Sequence, residues 1–268
     1  MHLAEIRPIA RVNGEINKRR RMIKARGVST PFQRHAKTNL ARGLLVLDLD
    51  HTVLRRPRAL YNGMNLYVGH EDDTGLRTGE ILPGCLNALA SARSNWNLVA
   101  VTARWGVPRC RTNTEIWLNA HDLSMPTYFA HRPIPTDGPR AAFKAQVISR
   151  LLNGRSQDDA TASGRAAPAV GIGDRPSDME AYVRNGLTAV MITDSLGELG
   201  AKHAELLEQM AHKLRSEYGD GGKDGAHIHF FASDQERLAW DKIGSFLDEI
   251  IVQQCEPDDN DNVEVETL

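Results

Sequence analysis

The chain has 268 residues with nearly equal acidic and basic content, for a formal net charge of −1. Its ordinary globular composition allows one well-buried domain of roughly 200 residues plus tails, and the overall charge singles out no partner. Cys85, Cys110 and Cys255 are odd in number and widely spaced, which argues against a disulfide framework or a zinc knuckle. No apolar run approaches the ~18 residues of a membrane span and no signal-peptide apolar region opens the sequence, so the expectation is a soluble, cytoplasmic protein with no membrane partner.

In chain order, residues 1–42 form a basic N-terminal extension that includes Lys18, Arg19, Arg20 and Arg21, with helical character around Glu15 to Ala25. Leu44-Leu45-Val46-Leu47 is a continuous apolar run, the pattern of a strand buried on both faces of a parallel sheet. Comparable runs follow at Leu98 to Val101, Ala169 to Ile172 and Ala189 to Ile192, with a weaker one at Tyr128 to Ala130. Helical patterns lie between them at Leu86 to Ala92, Thr112 to Asn119, Ala141 to Leu152 and Ser177 to Arg184, the last closed by Asn185-Gly186. Trp117 with Ile116 reads as core. Residues 55–80 are polar and fit a small hairpin flap; Asn153 to Pro168 fits a surface insertion. Beyond the sheet come helical Glu198 to Glu217, a possible added strand at His227 to Phe231, and an amphipathic helix over Ser233 to Val252.

Strands alternating with helices predict an α/β fold: a three-layer, doubly wound parallel sheet with a small flap. The expected division is a core over 43–195, C-terminal helices and an added strand over 196–252, and an acidic tail over 253–268.

Polar groups follow the apolar strands, where an open α/β sheet places its ligand crevice. Asp48 and Asp50 leave an extended chain on the same side, so their repulsion needs relief from a cation or a retained proton. Thr102-Ala103-Arg104 follows the second run and offers a hydroxyl and a guanidinium to phosphate oxygens. Asp174 and Asp178 open a helix after Gly173, and Lys144 can reach the crevice as a point charge.

The stretch Val46 to Val53 resembles the first motif of haloacid-dehalogenase-like hydrolases, Thr102 the second, Lys144 the third, and Gly173-Asp174-Arg175-Pro176-Ser177-Asp178 the fourth. The resemblance covers about residues 43–194. It implies a Rossmann-like core with a minimal cap and a Mg²⁺-dependent phosphatase. Asp48 would be the covalent nucleophile and Asp50 the general acid and base. Mg²⁺ would be held by the Asp48 side chain, the Asp50 backbone carbonyl and Asp174, with Asp178 orienting that shell. Thr102, Ala103 and Lys144 would bind the transferring phosphoryl group. Position 51 is His where Gly is commonest in the family. The fourth motif through Ala181-Tyr182 looks like that of lipin-like and polynucleotide-phosphatase-like members.

Arg104 and Arg132 are candidate substrate contacts, with surface ion pairing as the plainer alternative. His227 and His229 lack an evident third ligand and read as structural histidines; His51 reads as a spacer. Neither insertion leaves room for a large cap, which leaves the crevice open to bulky substrates. The expectation is a phosphorylated substrate, with a nucleic-acid 3′-phosphate end preferred from the basic extension and from the resemblance of Thr114 to Arg132 to polynucleotide kinase-phosphatases. Nucleotide or phosphoprotein substrates, and a non-catalytic module binding nucleic acid or protein, are the alternatives.

Overall fold

The computed structural model describes residues 42–55, 80–155, 167–193, 198–219, 227–234 and 236–255, all within one unit, Leu40–Leu268. The basic extension, most of the flap, the centre of the 153–168 insertion and the acidic tail lie outside the described residues.

Strand β1 (Gly43–Leu47) is buried along its whole length. Because strand side chains alternate, Leu45 and Leu47 enter one apolar layer while Leu44 and Val46 enter the other. The flap's two ends, β2 (Leu54–Arg55) and β3 (Glu80–Ile81), pair antiparallel. Helix α1 (Cys85–Ala92) leads into β4 (Trp96–Trp105), and α2 (Pro108–Ala120) into β5 (Thr127–Ala130). Next come α3 (Asp137–Arg155), β6 (Ala169–Gly173), α4 (Pro176–Val183) and β7 (Thr188–Ile192). The final elements are α5 (Glu198–Tyr218), β8 (Ile228–Phe231) and α6 (Ala239–Cys255).

Six strands form one sheet in the order β5-β4-β1-β6-β7-β8, and every pairing is parallel. Residues of α1, α2 and α6 fill the layer on one face, and residues of α3, α4 and α5 fill the other. The expected three-layer α/β architecture is therefore present. The chain moves outward from β1 through β4 to β5, then returns to β6 on the other side of β1. This reversal opens a crevice beyond the strand ends at β1.

The regions beyond β7 belong to the same sheet and core. Strand β8 pairs with β7, and Trp240 of α6 is 1% exposed and donates its indole N–H to the Thr52 carbonyl at 2.9 Å. Three local expectations are corrected. Strand β4 runs to Trp105, so Thr102 and Arg104 lie within it rather than after it. Helix α2 starts at Pro108, where a missing N–H costs nothing in the first turn. Ile116 is 61% exposed, whereas Trp117 is buried, because adjacent helical side chains diverge and only one can face the sheet. Among the described residues no helix is long and apolar enough to cross a membrane.

Helix α4 stops where the sequence indicates. Gly186 adopts φ +69, a left-handed conformation that glycine accepts without penalty. The same helix lies very close to β6: a Cβ on Gly171 would come within 2.3 Å of the Tyr182 ring. The Tyr182 hydroxyl donates to the Ile172 carbonyl at 2.9 Å, which fixes the ring in place. Gly171→Ala is expected to lower stability by about 1–3 kcal/mol through overpacking. A reduced urea midpoint would register this; an unchanged midpoint would contradict the packing described.

Candidate active site

Asp48 directly follows β1, and its backbone N–H donates to the Ile172 carbonyl of β6 at 2.9 Å, so the side chain is presented at the sheet reversal. The chain then turns back. The Leu49 carbonyl accepts N–H bonds from Val53 and Leu54, and the His51 N–H donates to the Leu54 carbonyl at 2.7 Å. His51 adopts φ +62, a region uncommon for side-chain-bearing residues although His enters it more readily than most.

Lys144, two turns into α3, is 2% exposed and donates to Asp48 Oδ1 at 2.7 Å and to Asp178 Oδ1 at 2.5 Å. Burial works against its charge, but Asp178 and Asp48 overcome that penalty and raise its pKa above the ordinary lysine value. Asp178 Oδ2 accepts the backbone N–H of Asp174 at 3.3 Å and of Arg175 at 3.1 Å. Both Asp178 oxygens are thereby engaged, so this residue orients its neighbours. A Cβ on Gly173 would come within 2.5 Å of the Asp178 side chain, so glycine is what lets the carboxylate lie against the strand.

Asp174 is 8% exposed and its Oδ1 is buried without a hydrogen-bond partner. Burial raises its pKa well above the usual carboxylate range, and the nearby Asp178 adds to the effect. The Asp48 carboxyl is pushed up to about 6, chiefly by burial, despite the opposing pull of Lys144. Ligand oxygens of Asp48, Asp174 and Asp178 lie within 4.8 Å of one another. Lys144 bonds to Asp48 and Asp178 and leaves the buried Asp174 Oδ1 unpartnered, an oxygen that a cation could engage. An all-oxygen set of this kind fits a hard divalent ion such as Mg²⁺.

Arg104, buried in β4, donates from Nε to Asp50 Oδ2 at 3.0 Å and from Nη2 to Asp50 Oδ1 at 2.6 Å. Its Nη1 donates to Thr114 Oγ1 of α2 at 3.1 Å. Its guanidinium is thus turned to Asp50 and Thr114 inside the site, where it fixes the Asp50 carboxylate by both oxygens. The register shift of β4 against β5 between Thr102 and Trp105 accompanies this placement. Thr102 is buried, its Oγ1 accepting the Arg104 N–H at 3.3 Å, and Ala103 is half-buried. The Asp50 side chain lies outside the three-carboxylate group.

The structure thus gathers Asp48, Lys144, Asp174 and Asp178 into one cluster and joins Asp50 to Arg104. Arg132 is exposed in the loop between β5 and α3. His227 is exposed and His229 packs on Phe246 with ring centroids 4.5 Å apart; neither joins the carboxylate group. Sequence reasoning missed four contributors. Thr114 braces Arg104, and His203 of α5 contacts the Asp174 carbonyl. Arg140 lies one turn before Lys144 on the same helix face, the signal that would have found it. Arg175 stands between the two acids of its loop. Burial opposes its charge, but Asp174, Asp178 and Asp137 raise its pKa. Arg140 has its pKa lowered by burial and by the neighbouring Arg175.

No protein-family model and no curated protein matches the sequence. Among solved structures, the chain is similar to D,D-heptose 1,7-bisphosphate phosphatase from B. bronchiseptica complexed with magnesium and phosphate. The identity is 17% and the TM-score 0.44, over 77% of this chain and 98% of that one. It is also similar to a HAD-superfamily hydrolase, subfamily IA, variant 1, from Geobacter sulfurreducens PCA, at 13% identity and a TM-score of 0.38 over 62% and 97% of the two chains. At such identities the reading of function rests on the residues of this chain.

With the Asp48 pKa raised from 3.8 to about 6, this group's contribution to stability is complete below the lower value and is lost as pH rises through the higher one. A divalent ion needs the ionised carboxylate and competes with that proton. The rise in melting temperature brought by Mg²⁺ is therefore expected to grow from about pH 5 to about pH 7.5. At ~100 times its Kd the ion would add about 2.7 kcal/mol, and Asp174→Asn should remove most of the effect. An upshift independent of pH, or unaltered by that substitution, would contradict the site.

Proposed function

We propose that the chain is a divalent-metal-dependent phosphomonoester hydrolase of the haloacid-dehalogenase-like type, working through an aspartyl phosphate on Asp48. The observation that carries this reading is the buried cluster of Asp48, Lys144, Asp178 and the orphaned Asp174 oxygen at the sheet reversal. A stabilising function does not account for three carboxylates brought together with one lysine.

In the first step an Asp48 carboxylate oxygen attacks phosphorus, the bond to the leaving oxygen breaks, and that oxygen takes a proton from the Asp50 carboxyl. In the second, Asp50 takes a proton from water, which attacks phosphorus and releases phosphate and free Asp48. Each Asp50 oxygen accepts a guanidinium N–H from Arg104, so a proton arriving on Asp50 displaces one of these bonds. Arg104 is a positioning residue in this scheme. Lys144 offsets charge at Asp48 and, with Thr102, would bind the transferring phosphoryl group. Asp48 and Asp174 would hold the metal, with the Asp50 backbone carbonyl added by the family resemblance and Asp178 orienting the set. When bound, the ion supplies charge stabilisation to the phosphoryl oxygens.

For the substrate, the reading is a nucleic-acid 3′-phosphate end, in the manner of polynucleotide-phosphatase-like members. Support comes from the segment between Thr102 and Lys144, which is occupied by α2, β5 and the start of α3 and leaves no space for a cap domain. Exposed Arg132 and His131 lie in that segment, and the basic extension adds further positive charge.

A screen of 3′-phosphorylated oligonucleotides, nucleotides, sugar phosphates and phosphopeptides with Mg²⁺ tests this, with Asp48→Asn as control. Asp48→Asn is expected to lose activity on every substrate; equal turnover in both proteins would reject catalysis, and a preference for small sugar phosphates would reject the open-crevice substrate. Arg104→Met is expected to lower kcat about ten- to hundredfold on an alkyl phosphate and less on p-nitrophenyl phosphate, whose leaving group needs little protonation. Equal losses on both would remove Asp50 from the acid role.

A further inference from the structure

Helix α5 lies beyond the four motifs, yet one of its polar side chains reaches the carboxylate site. Its inward stripe is apolar at Leu207, Ala211 and Leu214, which are at most 1% exposed and seat it in the layer shared with α3 and α4. The same spacing of three and four residues continues toward the helix start at position 203, where the stripe calls for another apolar residue. The sequence places His203 there, half-buried, and its ring Nε2 meets the backbone carbonyl of Asp174. A carbonyl only accepts, so Nε2 carries the proton and donates.

This bond completes a pattern at Asp174. The Asp174 backbone N–H donates to Asp178 Oδ2 at 3.3 Å and its carbonyl accepts from His203, so side chains of α4 and α5 hold its main chain on both sides. The carboxylate is left in the opposite condition. Its Oδ1 is buried with no hydrogen-bond partner among the described residues, while ligand oxygens of Asp48, Asp174 and Asp178 lie within 4.8 Å of one another. For packing alone, a leucine at position 203 would extend the stripe with no polar ring to satisfy. We infer that His203 is a positioning residue for the metal site: by holding the Asp174 carbonyl it fixes the backbone from which the carboxylate reaches the divalent ion. This rests on the metal-dependent reading of the cluster and adds to it a residue that acts only through Asp174.

The test titrates Mg²⁺ at pH 7.5 into the full chain, following melting temperature at each concentration with no substrate present, so the result does not depend on turnover. His203→Met keeps side-chain bulk and removes the donor, whereas His203→Gln keeps an amide N–H near the place of Nε2. The half-saturating Mg²⁺ concentration is expected to rise about tenfold or more in His203→Met and by clearly less in His203→Gln. A packing role alone predicts a lower melting temperature without metal and an unchanged half-saturating concentration. That result, or a His203→Gln protein no better than His203→Met, overturns the assignment. Where His203→Met does not fold, His203→Asn takes its place, its shorter side chain withdrawing the donor from the carbonyl. A wild-type protein whose melting temperature does not respond to Mg²⁺ overturns the metal-dependent reading itself, and the role of His203 with it.

Discussion

Lys144 brings its ammonium to 2.7 Å from Asp48 and 2.5 Å from Asp178 with 2% of its side chain exposed. Burying an ion costs several kcal/mol even after the protein relaxes, so this lysine is tolerable only between those two carboxylates, and they only beside it. The three groups come from the end of β1, from α3 and from α4, so the charge constraint fixes the relation of strand to helices. Asp174 is the part the lysine does not neutralise, and its lone oxygen is where a divalent ion would complete the balance.

The sheet makes this convergence possible. Asp48, Arg104 and Asp174 lie at or near the ends of β1, β4 and β6, three neighbours in the order β4-β1-β6. Parallel pairing directs all three ends to one side, and the reversal of strand order at β1 parts the flanking connections there. Close packing then sets the fine positions: Gly171 admits the Tyr182 ring and Gly173 admits the Asp178 carboxylate. Trp240 secures the turn after Asp50 from the far end of the chain.

Much of this was legible in the sequence because strand ends are marked by an abrupt change from apolar to acidic residues, as at Leu47-Asp48 and Gly173-Asp174. Lys144 was legible only by its company, since a lysine on a helix is ordinarily solvated. The partnership of Arg104 with Asp50 was not legible. It spans 54 positions and depends on β4 continuing through Thr102 to Trp105, where polar side chains conceal the strand. Arg175 was in view only as part of the stretch Gly173 to Asp178, and Arg140 reaches the neighbourhood from a different element. The exposed Ile116 was misread because composition does not tell which of two adjacent residues a helix turns inward.

In the proposed reaction Asp48 becomes covalently phosphorylated. Mixing the protein briefly with substrate and Mg²⁺, quenching in acid and reducing with borohydride converts an aspartyl phosphate to homoserine, which peptide mass spectrometry locates. Homoserine at position 48 is the expected result. Rapid turnover with position 48 unmodified, or with the modification at another carboxylate, would contradict the account.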